Sequence, residues 1–160
     1  TILVDYLKMQ VSAGAQALQI FDSWVGCLGP SDYEKYILPY SRRVFEGLKD
    51  TEVPVINFST GTSTMLDLVQ KAGGDVLSFD WRIEMDTARA LLGKDQPVQG
   101  NLDPVTLFGP LPLIRERVHD TLKRSGGKGY IFNLGHGILQ HTPVEHVKAV
   151  VDMVHEYKHE

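Results

Sequence analysis

Two short stretches carry the residue types best suited to chemistry. Ile20-Phe21-Asp22-Ser23-Trp24-Val25-Gly26 ends an apolar run in a carboxylate and a hydroxyl, and Phe132-Asn133-Leu134-Gly135-His136-Gly137 ends another in an imidazole between glycines. Flanking glycines let the backbone approach a ligand and leave the imidazole unshielded, so His136 is the candidate for orienting a substrate or relaying a proton. Asp22 and Ser23 have two readings: hydrogen bonds to a ligand, or caps on the loop that follows. Position alone leaves these even. Ser23 lacks a G-x-S-x-G surround, which argues against a nucleophile elbow. The other histidines, His119, His141, His146, His155 and His159, fall on helical or loop stretches and read as surface residues.

Three further groups have both a functional and a structural reading. Asp80-Trp81-Arg82 could offer an acid, a stacking surface and a cation. The favoured reading is a rim ion pair of Arg82 with Asp80 or Glu84, which contributes little if exposed. Ser59-Thr60-Gly61-Thr62-Ser63 could hold an anion at a helix N-terminus or simply cap it, and Asp103 before Pro104 reads as an N-cap rather than a catalyst. No metal site is expected. His136 has no partner at ligand spacing, and the lone Cys27 allows neither an internal disulfide nor a multi-cysteine zinc pattern and reads as a small buried hydrophobe.

These tips need elements to hold them. Apolar runs at 17–22, 53–58, 75–79, 97–102 and 130–134 read as buried strands, each ending in polar residues. Helical patterns lie between them. Ile2–Ala13 is amphipathic and opens without a cap. A longer helix starts at Ser31 or Asp32 and runs to about Leu48, with Pro39 kinking or splitting it. Another is capped by Thr62 or Ser63 and runs to Ala72; others cover 84–92, the stretch after Asp103 with bends at Pro110 and Pro112, and Pro143–Tyr157. Repeats of this kind suit a (β/α)₈ barrel, whose site lies at the C-terminal ends of its strands. An open doubly wound sheet is the alternative, but the chain has no G-x-G-x-x-G and its polar tips are spread over all the strands. The expected fold is therefore α/β, the C-terminal part of a (β/α)₈ TIM barrel with about five β/α units, so that 1–160 forms one incomplete domain lacking N-terminal strands. In a closed barrel the first strand pairs with the last. Here both would lack a neighbour, with Ile20 and Phe132 as inward residues short of packing partners.

Length and composition agree with one ordinary domain: 160 residues, 42% hydrophobic and 22% charged. A net charge of −4 gives no reason to expect nucleic acid. No apolar run approaches the roughly 20 residues that a membrane span needs. The single cysteine fits a reducing, cytoplasmic setting.

The same residues carry a family resemblance. Ala13-Gly14-Ala15-Gln16-Ala17 leading into Ile20–Gly26, then Gly100-Asn101-Leu102-Asp103-Pro104, and Phe132–Ile138 followed by Pro143-Val144-Glu145-His146-Val147, resemble the C-terminal half of the uroporphyrinogen decarboxylase family. The resemblance implies a carboxy-lyase of porphyrin and haem biosynthesis, built as a TIM barrel, homodimeric and cytoplasmic. It would remove carbon dioxide from four acetate side chains of the tetrapyrrole uroporphyrinogen III to give coproporphyrinogen III, with no metal or organic cofactor. Ser23 would correspond to the substrate-contacting serine, His136 to the active-site histidine that also binds substrate, and Phe21 would line the pocket. The family's arginine-bearing segment, its aspartate for the pyrrole N–H groups and its site tyrosine would precede Thr1, about 180–200 residues being needed to complete a barrel of usual size. This piece alone is then expected to be inactive. Two alternatives remain: a cobalamin-linked methyltransferase of the same superfamily, whose zinc site a lone Cys27 could not build, and a non-catalytic assembly fragment.

Overall fold

Helix α1 (Ile2–Ser12) is capped after all: the Thr1 hydroxyl accepts the Val4 N–H at 3.5 Å. It buries Val4 and Leu7, and the chain leaves it through Gly14 at φ +107°. The computed structural model describes residues 1–158, so His159, read above as a surface residue, lies outside them. Strands β1 (Leu18–Asp22), β2 (Val55–Ser59), β3 (Val76–Phe79), β4 (Val98–Leu102) and β5 (Tyr130–Leu134) form a sheet in the order β1-β2-β3-β4-β5. β1 runs parallel to β2, with Phe21 opposite Phe58, and β4 runs parallel to β5, with Asn101 opposite Asn133. Helices alternate with the strands, as five consecutive β/α units of a barrel require. β1 and β5 stand at the two ends of the order. Among the described residues no helix is long and apolar enough to cross a membrane.

The chain divides into two compact units, Thr1–Ser78 and the residues from Phe79 on. In the first, the helical run after β1 starts at Pro30 with Gly29 as N-cap, not at Ser31 or Asp32. Proline fits this place because its missing N–H would have no partner in a first turn. The run passes from α2 (Pro30–Asp32) through a wider π segment (Tyr33–Ile37) into α3 (Leu38–Glu46). Pro39 therefore neither splits nor ends it. The wide turns lie just where the proline has no N–H to give, and single π turns absorb such gaps inside helices. Helix α4 (Leu66–Ala72) begins later than its serines and threonines suggest, with Met65 rather than Thr62 or Ser63 at the N-cap. The buried Asn57 amide fastens β2 to the end of this helix by donating to the carbonyls of Val69 (3.3 Å) and Gly73 (2.9 Å).

In the second unit, α5 (Met85–Leu92) precedes β4. Asp103 then caps a short 3-10 turn (Pro104–Phe108), not a long helix. Helix α6 (Leu111–Ser125) starts afresh after Pro110, and α7 (Val144–Glu156) closes the chain. The core here joins Leu102 and Leu107 to Ile114, Val118 and Leu122 of α6 and to Val150 and Met153 of α7, with Tyr130, Phe132 and Leu134 packed against it. Phe132 therefore faces the helices. The exposed residues of β5 are its neighbours Ile131 and Asn133, and in β1 it is Phe21, 67% exposed, rather than Ile20. Side chains alternate along a strand, so the expected open face was assigned one residue out of step.

Candidate functional site

In the first unit the loop after β1 is held tightly. The Asp22 carboxylate accepts the Val25 N–H at 3.2 Å and so closes the short turn Val25–Cys27, which makes Asp22 the cap of its own loop. Burial pushes its carboxyl up from the ordinary aspartate range, and backbone N–H groups of Val25 and Trp24 pull the other way. The buried Tyr33 phenol is pushed up to about 12, by burial first and then by the Asp22 charge. Asp22 thus belongs to the packing beneath the loop. A raised folded-state value means that its stabilising contribution is complete below the unfolded value of 3.8 and is lost as pH rises through the folded value. Asp22→Asn, which keeps a carbonyl acceptor for Val25, should therefore raise the urea midpoint at pH 7, and the gain should vanish below about pH 3.8. Equal midpoints at both pH values would contradict this account.

Ser23 is held through its backbone. Its carbonyl accepts the Thr60 hydroxyl at 2.8 Å, and the Thr60 N–H reaches the Asp22 carbonyl at 3.3 Å. Gly26 permits this approach, because a Cβ there would stand 2.6 Å from the Gly61 Cα. The Ser23 side chain, half-buried, has no hydrogen-bond partner among the described residues, so its hydroxyl is available to a ligand. Phe21 meets Phe58 edge to face at 5.4 Å and leaves most of its ring exposed, and Trp24 in the following loop is 86% exposed. The serine and threonine stretch does not form an anion cradle. Ser59 and Thr62 are buried and bond one another at 2.8 Å, and Thr60 is committed to Ser23. Cys27 is exposed, contrary to its reading as a buried hydrophobe.

In the second unit His136 follows β5 and is exposed. Its Nδ1 lies 2.8 Å from the Gly137 N–H and accepts from it, so a neutral ring carries its proton on Nε2. The two flanking glycines differ in role. A Cβ on Gly137 would meet nothing within 4 Å, whereas one on Gly135 would lie 2.8 Å from the Trp81 backbone nitrogen and 3.0 Å from the Asp80 Cα. Gly135 is required by a neighbouring loop rather than by a ligand. That loop contains the ion pair of Asp80 with Arg82, with Arg82 lying 4.6 Å over the Trp81 ring. The expected Arg82–Asp80 pair forms, with Arg82 half-exposed and Asp80 only 2% exposed, and Glu84 turns instead to Arg124 at 3.6 Å. Asp103 caps its turn by accepting the Val105 N–H at 2.9 Å, as expected. His141 and His155 are exposed. His119 and His146 are half-buried, the His119 ring meeting Tyr157 at a tilt with centroids 5.4 Å apart and His146 Nδ1 lying 2.7 Å from the Leu107 carbonyl.

Asn101 carried no role in the sequence reading. Its buried side-chain amide donates to the carbonyls of Asp80 (3.1 Å) and Ile83 (2.6 Å), fastening the loop on which Gly135 rests. The available signal was an amide inside an otherwise buried strand, since buried polar groups must find partners. Among the described residues no three His, Cys, Asp or Glu side chains gather in a way that could hold a metal ion.

Residues 1–157 match the family described as Uroporphyrinogen decarboxylase (URO-D). Uroporphyrinogen decarboxylase from Carboxydothermus hydrogenoformans is 56% identical over 154 residues, covering 96% of this chain and 44% of that protein. The enzyme of that name from Trichlorobacter lovleyi is 53% identical over 153 residues, covering 95% of this chain and 45% of the other. The chain thus spans under half the length of the curated relatives it matches. A methyltransferase from Methanosarcina mazei shares the fold with a TM-score of 0.83 at 21% identity, over 96% of this chain and 46% of the other.

Proposed function

The chain belongs to the uroporphyrinogen decarboxylase family, and from that premise we propose that its residues form the C-terminal half of a TIM-barrel carboxy-lyase that converts uroporphyrinogen III to coproporphyrinogen III. In each of four steps the bond between an acetate methylene and its carboxylate breaks, carbon dioxide leaves, and the methylene carbon takes a proton to become a methyl group. The observation that carries the reading is a family match running from residue 1 to 157, across both candidate tips. The reaction belongs to porphyrin and haem synthesis, and we place the enzyme in the cytoplasm as a homodimer.

The local geometry supports a role for each residue. His136 presents an exposed ring that Gly137 steadies through Nδ1, and we assign this imidazole to meet the substrate or pass it a proton. The Ser23 hydroxyl supplies a hydrogen bond, and the exposed Phe21 ring supplies apolar surface for the macrocycle. A substrate with eight carboxylates calls for guanidinium partners. Arg82, the arginine nearest a strand tip, is already held by Asp80 and Trp81, so the neutralising cations come from the other half of the barrel.

The test joins these residues to the remaining length of the Carboxydothermus hydrogenoformans relative and measures coproporphyrinogen formation, with that intact relative as control. The joined chain should turn over uroporphyrinogen, and residues 1–160 alone should not. A folded joined chain that makes no product would overturn the reading. In the joined chain Ser23→Ala should weaken substrate binding by on the order of 1 kcal/mol, the worth of one hydrogen bond, and read out mainly in KM. An unchanged KM would remove Ser23 from the site.

A further inference from the structure

Gly135 and Asn101 touch the same loop from two sides, and His136 follows Gly135 directly. We propose that Asn101 is a positioning residue for His136, acting through the Asp80–Ile83 loop; this rests on the reading that His136 serves the decarboxylation.

The path is continuous and has no slack. Asn101 is buried in β4 and spends both side-chain N–H groups on carbonyls at the two ends of the loop, Asp80 at 3.1 Å and Ile83 at 2.6 Å. Asp80 stiffens the loop from within by accepting the Arg82 N–H at 3.1 Å and pairing with its guanidinium. Gly135 is buried against this loop at a distance that leaves no room for a methyl group, its Cβ position falling 2.8 Å from the Trp81 nitrogen and 2.9 Å from the Trp81 ring carbon Cε3. The Gly135 N–H is fixed at 2.8 Å to the Leu102 carbonyl, one residue beyond Asn101. Where the loop stands thus decides where Gly135 stands, and the imidazole is one residue further on. A group that must meet a reacting atom loses much of its effect when displaced by about 1 Å. Neither Asn101 nor Gly135 needs to touch substrate to exert this control.

The experiment uses the joined chain described above. Asn101→Ala removes both clamps and Gly135→Ala forces the contact apart without removing a polar group, so the second variant carries the test if the first fails to fold. Each should lower kcat by up to about a hundredfold with KM little changed. In a His136→Asn background each should change kcat by less than about twofold, because coupled residues are not additive whereas independent ones are. The His136 ring Cε1–H resonance should also shift in each single variant. An equal fold-loss with and without His136, or an unmoved His136 resonance, would overturn the positioning role. Should His136→Asn itself keep full activity, the parent reading fails, and the resonance still decides whether Asn101 governs the ring.

Discussion

In the joined chain, His136→Asn should lower kcat for uroporphyrinogen by about two to four orders of magnitude, the range expected when a positioned acid or base is removed. Asparagine can still form hydrogen bonds but cannot exchange a proton, so the substitution separates proton transfer from simple contact. The fold should scarcely notice. The imidazole is exposed, its 2.8 Å bond to the Gly137 N–H is local to the loop, and the position of Gly137 is open on its other side. The unfolding free energy should therefore change by no more than a surface substitution changes it, about 0.5 kcal/mol. Initial rates across a substrate series, with the unfolding curve of the same preparation, decide the matter. A kcat within about twofold of the parent would remove His136 from the chemistry.

Ile114→Ala should produce the largest loss of stability, about 2–5 kcal/mol. Ile114 has no exposed surface and stands where α6 meets the side chains of Leu102, Leu107, Val150 and Met153. Removing its outer carbons loses their transfer from water and leaves a cavity that two packed helices cannot close. Urea unfolding of the joined chain should show a lower midpoint at unchanged slope, and Ile114→Val should cost about 0.5–1.5 kcal/mol. Equal losses for the two substitutions would mean that the cluster collapses around the gap.

The strands were legible because each is a short apolar run stopped by polar or glycine residues, and all five lie within two residues of where the pattern puts them. Their faces were not. Strands covered on both sides lose the alternation that distinguishes one side from the other, and so Ile20 and Phe132 were placed where Phe21 and Ile131 stand. Caps were read from residue type, which worked for Asp103, whose side chain has only its own turn to serve. It failed at Thr62, whose hydroxyl is taken by Ser59, and at Thr1, where a cap went unread. The Asn101 clamp joins residues about twenty positions apart in sequence. No local pattern announces such a contact.

Strand order along the sheet is the order of synthesis, β1-β2-β3-β4-β5. After β1, each new strand therefore finds one neighbour already made. The pairings β1–β2 and β4–β5 each span a single helical crossover, which keeps the loop-closure entropy of every step modest. A chain leaving the ribosome at about 5–20 residues per second delivers one such crossover every few seconds, long compared with helix and strand formation. These five strands are thus laid down vectorially, with the His136 imidazole arriving only after the last of them, β5, is made.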